Sequence, residues 1–156
     1  VGTTNDPKEF ARRLDRVAIG LANNVEQMMK AAATNADEEL VRRTPVDTGR
    51  ARSNWIASVG APSTFAKINA APKAISEKVR LANAQAAQAS AFAQARPVIA
   101  AWTLAQGGLF ITNNVIYVQQ LDRGSSNQAP RGMSAFARAA VRRTVNIFGR
   151  LLLTVR

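Results

Sequence analysis

Apolar residues Phe10, Leu14, Val17, Leu21, Val25, Met28 and Ala32 recur at steps of three or four, with Arg12, Arg13, Arg16 and Glu26 off that stripe. The spacing predicts an amphipathic helix. Asp6-Pro7-Lys8-Glu9 reads as its start, with Asp6 as N-cap, Pro7 at the first helical position and Glu9 placed to return a capping bond. Thr34 and Asn35 weaken the pattern, and Asp37 to Arg43 resumes it with Leu40 and Val41 apolar. A continuous helix from 7 to 43 is roughly 55 Å long at 1.5 Å per residue. One domain cannot cover that length with its own core, so part of the stripe is expected to meet a neighbouring subunit, or the helix to bend near Thr34.

The helix must stop at Thr44-Pro45-Val46-Asp47-Thr48-Gly49. Pro45 disfavours the helical region at Thr44, Asp47 can bond backbone amides two residues on, and Gly49 can take a positive φ. Short alternation through Trp55, Ala57 and Val59 predicts a strand over Ser53 to Val59. Gly107-Gly108 releases a second extended run, Leu109 to Thr112, and Asn113-Asn114 marks a turn before a third, Val115 to Val118. The expectation is an antiparallel sheet of three or four strands.

Residues 70 to 101 are rich in Ala, Gln and Ser, with Pro72 and Pro97 at the ends, and read as an inserted helix. Alanine permits close approach but buries little area, so this helix is not expected to form core by itself. From Pro130 on, Met133, Phe136, Ala140, Val141, Thr144, Ile147, Phe148, Leu151 and Val155 repeat the helical pattern and should pack against the first helix. The fold class is therefore α+β: long N-terminal and C-terminal helices on a small antiparallel sheet, with an Ala-rich helical insertion at about 62–106. Residues 1–156 read as a single domain, since no repeat and no long linker interrupts them.

Composition narrows the chemistry. With no cysteine and no histidine, disulfides, thiolate sites, imidazole bases and the usual zinc sites are excluded. No apolar run reaches the roughly 20 residues that span a bilayer, and Val1-Gly2-Thr3-Thr4 begins nothing like a secretion signal. A soluble, unexported chain without membrane contact is expected. The net charge is +11, from 21 Lys plus Arg against 10 Asp plus Glu, which calls for a polyanionic or acidic partner. After Asp122 no acid occurs, while Arg123, Arg131, Arg138, Arg142, Arg143, Arg150 and Arg156 follow. A solvated basic helix face accounts for these as readily as a binding surface does.

Asp37-Glu38-Glu39 is the densest acidic cluster, but consecutive helical positions point apart, so it reads as a solvated face or a contact with an arginine-bearing partner. The glycines lack phosphate-loop spacing. Trp55 reads as core rather than as a stacking platform for bases. Arg50 and Arg52, beside a Gly turn, suit a phosphate or a neighbour's carboxylates, and the subunit contact is favoured. Nothing supports an enzyme or a cofactor.

Three segments then stand together: T-P-V-D-T-G-R-A-R-S-N-W at 44–55, I-T-N-N-V-I-Y-V-Q-Q-L-D-R-G at 111–124 and Q-A-P-R-G-M at 128–133. In order and spacing they resemble the neck or tail-completion (head–tail joining) proteins of long-tailed bacteriophages. Asp122 stands where that family commonly has glutamate, and Ile116 where proline is frequent. The resemblance implies a structural virion subunit without enzymatic activity, assembled in the host cytoplasm. It implies a ring at the head–tail junction, six-fold favoured over twelve-fold, that joins the capsid connector or stopper to the tail terminator or tube. Double-stranded DNA would pass it nonspecifically. It also implies that Asp47, Thr48, Gly49, Arg50, Arg52, Trp55, Asn113, Asn114, Tyr117, Asp122 and Gly124 form the fold's framework or the intersubunit seam. Arg138, Arg142 and Arg143 are the candidate DNA-facing cations. The alternative is a stand-alone basic protein that binds nucleic acid nonspecifically.

Overall fold

The computed structural model describes residues 6–68 and 71–154, with the side chains of 151–154 outside that description. The expectations placed on Val1 to Thr4, on the Leu151 side chain, on Val155 and on Arg156 lie outside the described residues. In chain order the elements are α1 (Pro7–Arg43), α2 (Arg50–Ser53), β1 (Ile56–Val59), α3 (Glu77–Ala101), β2 (Leu109–Thr112), α4 (Val118–Asp122) and α5 (Ser134–Thr154), with one 3-10 turn at Leu104–Gln106. This is the expected α+β arrangement, dominated by helix.

α1 runs unbroken for 37 residues. The Asp6 carboxylate accepts from Lys8 N at 3.0 Å, while Glu9 turns to Arg12, Arg13 and Arg16. The helix continues through Thr34, whose hydroxyl donates back to the Lys30 carbonyl at 2.9 Å. α5 packs along the C-terminal half of α1, and Asn35 Nδ2 donates to Thr144 Oγ1 at 2.8 Å across that seam.

The sheet is smaller than expected. Among the described residues it has two antiparallel strands, with Ile56 opposite Thr112 and Val59 opposite Leu109. Two local features limit it. Asn113 Oδ1 accepts from Val115 N at 3.2 Å and Val118 N bonds Val115 O at 2.9 Å, so the third apolar run becomes a turn leading into α4. On the other side, Gln94 from α3 donates to Ala57 O and accepts from Ala57 N, both at 2.9 Å, occupying the β1 edge. The residues before the strand also differ from expectation, since Arg50–Ser53 form the helical turn α2.

The Ala-rich helix corrects another expectation. α3 contributes Ala91 and Phe92 to the main core with Ala36, Leu40, Val41, Trp55, Met133 and Ala137. Ala95 and Ile99 pack with Ala57 in a second cluster. Alanine buries little by itself, but it lets α3 lie close to α1, α2 and β1, and Phe92 and Ile99 supply the area. α3 also continues past Pro97 to Ala101. The backbone bond that Pro97 cannot make is offset by burial of Ile99 and of Trp102, whose indole N–H donates to Gly107 O at 2.9 Å.

Candidate functional site

The three motif segments meet around the end of α1. Trp55 is buried, and its indole N–H donates to Thr44 Oγ1 at 2.7 Å, while that hydroxyl donates to Leu40 O at 2.6 Å. Arg52 reaches the same helix end: Nη2 donates to Thr44 O at 2.7 Å and Arg42 O at 2.9 Å, and Nε to Thr44 O at 3.1 Å. A guanidinium here satisfies carbonyls that have no intrahelical donor and complements the negative end of the helix dipole. Burial, followed by the nearby positive charge of Arg80, holds the Arg52 pKa below its ordinary value.

Gly49 has φ +78, and a Cβ there would stand 2.9 Å from Ala87 Cβ and 3.0 Å from Asn83 O, so both backbone sign and the approach of α3 require glycine. Asn83 donates to Asp47 O at 2.8 Å, and Asp47 Oδ1 accepts from Ala74 N at 3.0 Å. Thr48 Oγ1 accepts from Arg50 N at 3.3 Å. Arg50 is half-buried, with Nε making no hydrogen bond, in a cleft that Tyr117 also lines.

The second and third segments hold the first in place. Asn113 donates to Ala51 O at 2.8 Å, and Asn114 to Ser63 O at 2.6 Å and Phe65 O at 3.0 Å. Gln128 pairs with Val46 in both directions, accepting from its N at 3.0 Å and donating to its O at 3.1 Å. Asp122 caps α5 by accepting from Met133 N and Ser134 N at 2.7 Å and from Ser134 Oγ at 2.6 Å. Burial pushes the Asp122 pKa up, but these bonds and Arg138 together bring it below its usual value. Gly124 follows α4, its N–H bonding Leu121 O at 3.0 Å, with its Cα against the Pro130 carbonyl. Ile116 is 95% exposed at the second position of the Val115–Val118 turn, a position that favours proline.

The acidic triplet departs from the solvated face expected of it. Asp37 is 2% exposed, its Oδ1 without a hydrogen-bond partner, and burial and then Glu38 raise its pKa to about 7 against the pull of Arg96. Glu38 lies 3.6 Å from both Arg42 and Arg96. Glu39 lies 2.6 Å from Arg43 and 3.8 Å from Arg143. Their arginine partners come from this chain.

Several surfaces remain open among the described residues. Residues 10–24 of α1 are all exposed, Phe10 at 64% and Val17 at 68%, so the apolar stripe projects beyond the body uncovered. A groove of about 540 Å³ between α1, β2 and α5 is lined by Met29, Trp55, Ile111 and Val141 and edged by Arg138 and Arg142. Arg138, Arg142 and Arg143 all stand exposed on α5. A recess of about 360 Å³ at the end of α1 is lined by Arg42, Arg43, Arg52 and Arg131. Sequence reading missed this recess, because Arg42–Arg43 and Arg131 lie far apart in the chain.

No described helix is long and apolar enough to cross a membrane, and no group of three or more potential metal-binding Asp or Glu residues occurs among the described residues. No curated protein and no solved structure matches the chain. Residues 8–71, which carry α1, the Thr44–Trp55 segment and β1, match the HK97-gp10-like family model, described as "Bacteriophage HK97-gp10, putative tail-component". Over that segment the chain is similar to a bacteriophage tail-component family, in agreement with the phage neck and tail-completion resemblance of its motifs.

Proposed function

We propose that this chain is a structural subunit of the phage virion that assembles with its own copies into a ring at the head–tail junction. The ring joins the capsid connector to the tail and lets double-stranded DNA pass. The observation that carries this reading is the uncovered half of α1, within the segment similar to the tail-component family. A stripe of Phe10, Leu14, Val17 and Leu21 facing water is costly to leave exposed, and apolar patches of this kind mark contact surfaces. A copy of the same chain supplies a partner through its apolar groove, and repetition of such a head-to-tail contact closes a ring. Six-fold closure, as in a tail tube, is favoured over twelve-fold.

The framework residues serve this role by fixing the base from which the α1 arm projects. Arg52 and Trp55 lock the end of α1, Asp122 locks the start of α5, and Gln128 ties both regions together. The role needs no catalysis and no cofactor.

Complementation tests it. Lysates of phage lacking this chain should hold separate heads and tails, and added purified protein should restore joined, infective particles. Joined particles at normal titre without the protein would contradict the proposal.

A further inference from the structure

The recess at the C-terminal end of α1 concentrates positive charge with little to neutralise it. Arg42, Arg43, Arg52 and Arg131 line it together with Gln128 and Phe136, and no carboxylate does. Two carboxylates outside the lining pair with Arg42 and Arg43, but each is shared: Glu38 between Arg42 and Arg96, Glu39 between Arg43 and Arg143. Arg52 has only carbonyl partners. Arg80 reaches Gln128 Oε1 at 3.4 Å at the edge, but it is paired with Glu77 and adds no free charge. Arg43 stands over the Phe136 ring, its Cζ 3.5 Å from the centroid, and its Nε donates to Glu39 at 2.6 Å, so its position is fixed by a cation–π contact and an ion pair.

A second copy of this chain is a poor source of the missing anion. Asp6 and Asp122 cap helices, Asp37 is buried, and Asp47 accepts from the Ala74 amide. Glu9, Glu26, Glu38, Glu39 and Glu77 are ion-paired within the chain. Asp15 alone has no such use among the described residues, and one carboxylate does not match four guanidinium groups.

We infer that the recess of Arg42, Arg43, Arg52 and Arg131 is a phosphate-binding site for the backbone of duplex DNA. It deepens the proposed function, resting on that reading for the presence of DNA beside the protein. Planar guanidinium forks bond phosphodiester oxygens without reading bases, which gives the sequence-independent, salt-sensitive contact that a DNA passage requires.

The test is fluorescence anisotropy of a labelled mixed-sequence duplex of about 20 base pairs titrated with the full chain between about 50 and 200 mM salt. Arg42→Ala/Arg131→Ala removes two recess cations and leaves the Arg52 cap intact. Arg138→Ala/Arg142→Ala removes the same charge from α5, and thermal unfolding verifies that both variants fold. The recess pair should weaken binding about tenfold at low salt and flatten the log–log salt slope by about 1.8, while the α5 pair should change affinity less than about twofold. Equal losses in the two variants, or no binding by the unsubstituted protein at low salt, would overturn the site. Recess-dependent binding of polyglutamate, with duplex binding indifferent to the recess pair, would also overturn it and assign the recess to an acidic protein. A protein found at the head–tail junction with any of these negative results loses only the DNA site. A protein absent from the virion loses the neck reading instead.

Discussion

The indole N–H of Trp55 donates to the Thr44 hydroxyl at 2.7 Å, joining the residue that ends α1 to the residue that precedes β1. Thr44 in turn donates to Leu40 O, so one buried hydroxyl serves both the last turn of α1 and the entry to the sheet. Trp55→Phe removes one hydrogen bond and some buried area, and should cost about 1–2 kcal/mol. Thr44→Val keeps the volume and leaves Leu40 O its bond from the backbone N–H of residue 44, but strands the buried indole N–H of Trp55, and should cost about 2–3 kcal/mol. Urea unfolding of the two variants should place Thr44→Val below Trp55→Phe, and the reverse order would show that packing outweighs the bond.

Asp37 makes stability fall as pH rises. Its folded pKa is raised to about 7 by burial and Glu38, so between the unfolded value near 3.8 and about 7 the native state binds more protons than the unfolded chain. Its contribution is most favourable below pH 4 and is lost progressively up to about pH 7, on the order of 2–4 kcal/mol in all. Asp37→Asn should flatten that decline and raise the melting temperature at pH 8. Parallel melting curves for the two proteins from pH 5 to pH 8 would contradict the assignment.

Asp122 has the opposite sign. Its lowered pKa means that its contribution is present above the ordinary carboxylate range and is lost as pH falls through the folded value. Asp122→Ala leaves Met133 N and Ser134 N without their acceptor and should cost about 2 kcal/mol near neutral pH. Gly132, at φ +68, packs directly against the Asp122 carbonyl, with no room for a Cβ. Gly132→Ala should therefore be at least as damaging, measured by the same denaturant midpoint. A neutral result for either would remove the α4–α5 junction from the framework.

The projecting half of α1 separates assembly from folding. Phe10→Ser, Leu14→Ser and Leu21→Ser change residues that touch little of their own chain. The combined variant should unfold within about 1.5 kcal/mol of the parent, about 0.5 for each of three surface substitutions. Its capacity to restore joined particles should fall at least tenfold. Full complementation by a stable triple variant would show that this stripe is not the contact surface.

Much of the architecture was legible from local pattern. The Asp6-Pro7 start of α1, its stop at Thr44-Pro45, the α1–α5 seam and a buried Trp55 all follow from periodicity and capping chemistry. The third strand was not, because Val115 and Tyr117 alternate like strand residues while Asn113 turns the backbone. The core role of α3 was hidden because Ala87, Ala91 and Ala95 matter through how near they let other elements come, which composition does not display. Asp37 was misjudged by its neighbours: Glu38 and Glu39 are polar and paired, but the residue beside them faces inward. The arginine recess was invisible for a topological reason, since only folding brings Arg131 to Arg42, Arg43 and Arg52.

The most direct test of the virion role is immunogold electron microscopy of intact phage particles with an antibody against this chain. Gold at the head–tail junction, together with unjoined heads and tails in its absence, is the predicted result. Normal joined particles that carry no label would contradict it, and a stand-alone nucleic-acid-binding protein would become the better account of the +11 charge.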